Sequence, residues 1–243
     1  MNKGVFIALP AYKGQHSSAA TVSIAYATAL IASQGFNPMV TTLSLPDIEL
    51  SRNLFLSVWF DKTPCDYFVS IDDDMEFPPD MLEAMLALDE PLVGAIYPKK
   101  SYPIQFVFNG DLSPDKRIEH PQDERFCQVE GMGFGCTVIR RDAIDTMLSH
   151  GLPFQTKNID KLGINASIQS IGGISRLLRP FDRLTGVDGV PISEDLSFCK
   201  RWSQTGGKIW AAQGWEIGHF GPHVWRGQFN QYGIEDGKVS IRK

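Results

Sequence analysis

Along the first hundred residues, short apolar runs alternate with longer segments of helical period. Residues 5–9 (VFIAL), 39–43 (MVTTL), 66–71 (DYFVSI) and 92–97 (LVGAIY) predict strands. The runs 66–71 and 92–97 are apolar nearly throughout, as in strands buried on both faces. Between the strands, Ser17 or Ser18 is placed to cap a helix to about Ser33, with Gly35 positioned to end it. Residues 48–60 predict a second helix and 81–88 a third, the latter following the turn at Pro78 and Pro79. This alternation predicts a parallel sheet with right-handed crossovers. After Lys99 the pattern changes. Residues 104–108, 125–130 and 134–140 look like strands without helices between them, which predicts an antiparallel extension. Residues 151–190 are irregular, and a long irregular stretch marks a functional loop or lid. Ser193 then starts a helix to about Ser203, stopped by Gly206 and Gly207, and residues 208–212 predict a last core strand.

Composition narrows the class. The 243 residues suit one domain, or one core with an elaborated second half. Hydrophobic content of 43% and charged content of 21% are globular values. A net charge of −5 argues against nucleic acid as the main partner, so a diphosphate ligand would need local cations or a metal. Cys65, Cys127, Cys136 and Cys199 form no C-x-x-C pair, which favours structural thiols in a reducing cytoplasm. Residues 1–10 are too short and too weakly basic for a signal peptide. The Ala-rich run 19–32 contains Thr and Ser and falls short of a membrane span.

The candidate chemistry centres on residues 66–80, DYFVSIDDDMEFPPD, where a core strand ends in Asp72, Asp73 and Asp74. Three adjacent acids repel one another and call for a compensating cation, and ligands of open α/β sheets bind outside the carboxyl ends of strands. Four readings compete: a solvated acidic loop, an EF-hand, an Asp-x-Asp phosphatase and the D-x-D of a metal–nucleotide site. The EF-hand fails because Phe77 stands where a Gly is needed. The phosphatase lacks its usual continuation. Arg52 falls within roughly 60° of Ile48, Phe55, Leu56 and Trp59 at about 100° per residue, centred on an apolar stripe. It is either a snorkelling stem or a guanidinium aimed at an anion. On the same count, Leu196, Phe198, Cys199 and Trp202 define the buried side of the last helix, with Asp195 near its centre and Glu194 pointing away. Gly131, Gly133 and Gly135 permit close backbone approach to a ligand or a tight hairpin. His219 stands alone in EIGHFG, and a lone His is usually structural.

The order of these pieces over roughly residues 3–221 resembles the GT-A glycosyltransferases, nearest to the inverting family 2 type. The resemblance implies a GT-A-type, Rossmann-like mixed α/β sheet flanked by helices, with an antiparallel extension in the second half. It implies one catalytic domain over 1–243: a nucleotide-binding half at 1–100, an acceptor and catalytic half at 101–221 and a C-terminal tail at 222–243. LPAY, with Pro10, Ala11 and Tyr12, matches the turn that cups the nucleoside. Arg52-Asn53 matches the helix pair whose Arg reaches the nucleotide. Asp72 and Asp74 match the D-x-D, with Asp73 between them. GMGFG, centred on Gly133, resembles the donor loop. Ser193-Glu194-Asp195 resembles the x-E-D motif, with Asp195 as base and Glu194 beside it, and His219 matches the imidazole that completes the metal site with Asp74 and Asp72. Asp47 is the one candidate for the acid that grips the base.

The implied activity is metal-dependent hexosyl transfer from a nucleoside-diphosphate sugar to an acceptor hydroxyl, with inversion and with Mn²⁺ or Mg²⁺ as cofactor. Arg52, with Lys99 or Lys100, would bind the diphosphate. The acceptor is open among a glycan, a lipid-linked sugar and a small molecule, and the expected location is cytoplasmic, free or peripheral to a membrane. The Q-x-x-R-W motif of processive synthases is missing, which points to single transfer. Two rivals remain: a sugar-phosphate nucleotidylyltransferase, whose G-x-G-T-R signature ALPAYKGQ lacks, and a non-catalytic nucleotide-sugar-binding module.

Overall fold

The computed structural model describes residues 2–11, 14–159, 174–235 and 238–241. The elements are β1 (Gly4–Pro10), α1 (Ser18–Ser33), β2 (Asn37–Leu43), α2 (Ile48–Lys62), β3 (Tyr67–Ile71), β4 (Met75–Glu76), α3 (Pro79–Ala87) and β5 (Leu92–Ala95). They continue with β6 (Phe108–Asn109), β7 (Glu119–His120), β8 (Asp123–Val129), β9 (Gly131–Met132), β10 (Cys136–Arg140), α4 (Arg141–Ser149), β11 (Phe154–Gln155) and β12 (Leu177–Leu178). The last are α5 (Glu194–Gln204), β13 (Ile209–Ala212), β14 (Glu216–Phe220), β15 (Val224–Gln228), β16 (Tyr232–Glu235) and β17 (Lys238–Ile241).

Eight strands form one mixed sheet in the order β2-β1-β3-β10-β5-β13-β8-β7. β2, β1, β3, β5 and β13 run parallel, while β10 and β8 oppose their neighbours. Alternation along each strand divides the core into two layers. Val5, Ile7 and Leu9 join Ile24, Ile31, Met81 and Met85 under α1 and α3. Phe6 and Ala8 join Phe55, Trp59 and Phe198 under α2 and α5. β3 repeats this pattern: Phe68 stacks on Phe6 at 6.1 Å and meets Trp59 at 5.5 Å, while Val69 faces the other layer.

Local signals behave as their chemistry requires. Ser17 Oγ accepts from the Ala20 amide at 3.0 Å and caps α1. Gly35 takes φ 88 just past the helix end, where a side chain would be strained. Asp47 accepts from the Leu50 amide at 3.1 Å and caps α2. The four cysteines are buried and free. Burial pushes the Cys136 thiol up to about 12. Among the described residues no helix is long and apolar enough to cross a membrane.

Two features depart from the pattern reading. The strand expected over 134–140 begins at Cys136 and lies in the middle of the sheet, between β3 and β5, not in an extension at its edge. Cys136, Thr137, Val138 and Ile139 are all buried, and a strand buried on both faces belongs inside a sheet. In addition, 141–149 forms a helix to which the pattern reading assigned nothing. Ala143, Ile144 and Met147 give it a buried face at helical spacing.

Candidate active site

The parallel strands bring several chain segments to one edge. Pro10-Ala11 leaves the carboxyl end of β1, Asp72, Asp73 and Asp74 leave β3, and residues 96–100 leave β5. Because β10 runs in reverse, the turn that enters it, residues 133–135, lies on the same edge. The Asp72 amide donates to the Gly135 carbonyl at 2.9 Å. Such an edge is where α/β sheets bind ligands.

β4, immediately after the three acids, pairs with β14 in the register Met75 to His219. The Phe220 amide donates to the Asp74 carbonyl at 2.8 Å. This pairing carries His219 to Asp74, with Nε2 standing 3.6 Å from Asp74 Oδ2. His219 Nδ1 lies 2.9 Å from the Pro98 carbonyl. A carbonyl only accepts, so Nδ1 carries a proton there, and Nε2 is the ring nitrogen that faces Asp74. Lys100 Nζ donates to the same Oδ2. Burial would raise the Asp74 carboxyl, but His219 and Lys100 beside it outweigh burial and hold the group below its ordinary range.

Arg52 lies deeper. Its side chain is 3% exposed, with Nη2 bonded to both oxygens of Asp72 at 2.9 and 3.1 Å and Nη1 bonded to Glu194 at 2.8 Å. The guanidinium rests 5.7 Å from the Phe134 ring centroid. The head does not snorkel: it lies buried between two of the protein's own carboxylates. Its guanidinium ties the end of β3 to the start of α5. Burial pushes the Asp72 carboxyl up against the pull of Arg52, and its neighbours Asp74 and Asp73 add to the rise. Asn53, next to Arg52, accepts from the Phe181 amide at 3.1 Å and donates to Asp182 at 3.0 Å, which fixes the segment covering α2.

The start of α5 corrects the helix-phase reading. Glu194 does not point away: it turns in to Arg52, is 13% exposed and has Arg183 3.7 Å from its second oxygen. The reason is Ser197, which is fully buried, while Leu196 is only half-buried. Ser197 Oγ accepts from the Leu184 amide at 2.9 Å, so a polar residue occupies the buried stripe. Exchanging Leu196 for Ser197 rotates the stripe by roughly 50° toward Glu194 at about 100° per residue. The two acids then flank it. Asp195 Oδ1 accepts from Ser193 Oγ and from the Leu196 amide, the latter at 2.8 Å. The Asp195 charge is felt at both Arg52 and Tyr97.

Tyr97 is a site residue that the strand pattern hid as core. It is buried, its ring meets His219 edge-on at 5.3 Å, and burial together with the Asp72 charge pushes its hydroxyl pKa far up. It also reassigns the glycines. A Cβ on Gly133 would stand 2.1 Å from Tyr97 Oη, and one on Gly135 would stand 2.9 Å from the Tyr97 ring. The space that Gly133 leaves is filled by Tyr97, so this residue packs the site's floor and is not an open donor loop. Gly133→Ala is expected to cost about 1–3 kcal/mol through overpacking. An unchanged denaturant midpoint would refute this.

Of the other expected residues, Ala11 is buried, with its amide bonded to the Leu43 carbonyl at 3.0 Å, and Tyr12 lies outside the described residues. The Asp73 carbonyl accepts from the Ser17 amide at 2.9 Å. No group of three or more His, Cys, Asp or Glu side chains arranged for a metal occurs among the described residues. Asp72 is held by Arg52, which leaves Asp74 and His219 as the converging pair. A cavity of about 910 Å³ opens beside Ser193, lined by Gln128, Glu130, Ser193, Leu196, Lys200 and Lys208 among others. The acidic strand end does not line it.

The mixed sheet with helices on both faces is the α/β architecture that the motif order implied, and β14 brings His219 to the acidic end of β3. No family model and no curated protein matches the chain. Solved structures of similar fold include a protein from STIV, at 13% identity and TM-score 0.47 over 99% of this chain and 94% of that one. A second is UDP-glucose pyrophosphorylase complexed with UDP-glucose, at 9% identity and TM-score 0.44 over 93% and 92%. A third is a Drosophila β-1,4-galactosyltransferase 7 mutant in complex with manganese, UDP-Gal and xylobiose, at 15% identity and TM-score 0.31 over 78% and 70%. Glycosyltransferases and nucleotidyltransferases are thus both among the neighbours.

Proposed function

We propose that this protein is a nucleotide-sugar-dependent glycosyltransferase that moves a hexose to an acceptor hydroxyl with inversion. The observation that carries the reading is the meeting of three distant segments at one sheet edge. The β3 end brings Asp72 and Asp74, α5 brings Glu194 and Asp195, and β14 brings His219.

The residues present fit a divalent cation. Asp74 would offer its carboxylate and His219 its Nε2, because Nδ1 is committed to the Pro98 carbonyl. With two such side chains converging among the described residues, phosphate oxygens and water would complete the sphere, which suits Mn²⁺ and then Mg²⁺. The ion would neutralise charge on the departing diphosphate. Asp195 would take the proton from the acceptor hydroxyl as that oxygen attacks the anomeric carbon. Arg52 and Asp72 would hold the D-x-D backbone against α5. The cavity beside Ser193 opens next to Asp195's hydrogen-bond partner and is the natural entry for an acceptor.

A panel of nucleoside-diphosphate sugars, screened with and without Mn²⁺ by melting temperature and by release of nucleoside diphosphate, tests the reading. One donor should raise the melting temperature most with Mn²⁺ present, and His219→Ala should abolish the Mn²⁺-dependent part of that shift. Pyrophosphate release from a nucleoside triphosphate and a sugar phosphate would replace this reading with nucleotidylyl transfer. Donor binding without turnover on any acceptor would favour a binding module.

A further inference from the structure

One carboxylate oxygen, Asp74 Oδ2, faces two competing groups. Lys100 Nζ bonds to it, and His219 Nε2 stands 3.6 Å away. The lysine is not there by accident of a loose surface chain. Pro98, whose carbonyl sets the imidazole, lies two residues before Lys100, so one short segment after β5 both orients His219 and delivers the ammonium. That segment is braced by the Val107 amide on the Tyr97 carbonyl at 2.9 Å and by the Lys99 amide on the Gln105 carbonyl at 2.6 Å. The Lys100 stem runs along Gly221, two residues beyond His219, where an added Cβ would lie 3.3 Å from Lys100 Cδ.

An ammonium and a divalent ion cannot share one carboxylate oxygen without strong repulsion. Lys100 is 35% exposed, however, and a pair so open to water is weak enough to part when a better anion arrives. We infer that Lys100 holds Asp74 in place of a divalent cation and releases it when a diphosphate draws the ammonium away, so that metal and diphosphate bind cooperatively. This rests on the metal–diphosphate reading above. By linkage, the ligand that removes Lys100 from Asp74 strengthens the metal, and the metal strengthens that ligand equally. Lys100 is thus a nucleotide-side residue that suppresses premature metal binding.

The test is Mn²⁺ affinity of the full chain without nucleotide, measured by electron paramagnetic resonance of the free ion. Lys100→Met and Lys100→Gln should bind Mn²⁺ tighter than wild type by on the order of tenfold. Lys100→Arg, which keeps the cation, should stay close to wild type. Adding His219→Ala to Lys100→Met should remove the gain, which assigns it to this site. Equal Mn²⁺ affinity in wild type and the Met and Gln variants, with His219-dependent binding intact, would overturn the role of Lys100 and leave the metal reading standing. No Mn²⁺ binding in any variant would overturn both, and the donor screen without metal would then decide on transfer itself.

Discussion

Arg52→Met is expected to lower the unfolding free energy by about 3 kcal/mol, read from a denaturant midpoint. Removing one member of a buried ion cluster leaves the others charged and unpaired, at a cost of about 3–5 kcal/mol. Asp72 is 26% exposed, so solvent screening places the value at the low end. Lysine should rescue only partly, because a point charge cannot bond Asp72 through both its oxygens and also reach Glu194. The loss should depend on pH. Burial already raises the Asp72 carboxyl, and without Arg52 it would lie higher still above its unfolded value. A raised group favours the folded state below the unfolded pKa and ceases to as pH rises, so the deficit should shrink toward pH ~4 and grow toward neutrality. A variant as stable as wild type at neutral pH would remove Arg52 from its architectural role.

The largest effect on turnover is expected from Asp195→Asn, a loss of ~10²–10⁴-fold in transfer with donor and Mn²⁺ affinity kept. Asparagine can still accept from Ser193 Oγ and from the Leu196 amide through its own Oδ1, so the start of α5 should survive. What it cannot do is take a proton. Glu194→Gln should behave differently: it weakens the bond to Arg52 and should show first as lost stability, with a much smaller effect on turnover. Turnover lost in Glu194→Gln and kept in Asp195→Asn would make Glu194 the base. Turnover kept in both would end the transfer reading of α5.

The α/β class was legible because it depends on short-range regularities. Apolar runs at 5–9, 66–71 and 92–97, the Ser17 cap and the stop at Gly35 each act within a few residues. The acid-ended strand was equally legible, since three adjacent carboxylates are unusual wherever they fall. The candidates Asp72, Asp74 and Asp195 therefore came from the chain itself, whereas His219 entered only through the resemblance to the GT-A enzymes.

Which of these residues touch was not legible. Glu194 and Arg52 are 142 positions apart, and only the stacking of α2 and α5 on one face of the sheet brings them to 2.8 Å. A buried serine at 197 turned the helix face by an amount that hydrophobicity does not reveal, because the amide that satisfies it belongs to Leu184. Gly133 looked like a ligand loop and Tyr97 like plain core until the tyrosine was found filling the glycine's space. Sequence by itself determined most of the secondary elements, α4 excepted, and the kinds of chemical group available, since propensity and caps are local. Tertiary structure decided the partners of Arg52, the lysine on Asp74 and the carbonyl that His219 Nδ1 meets, because charges and hydrogen bonds pair by proximity in space, which the sheet order sets.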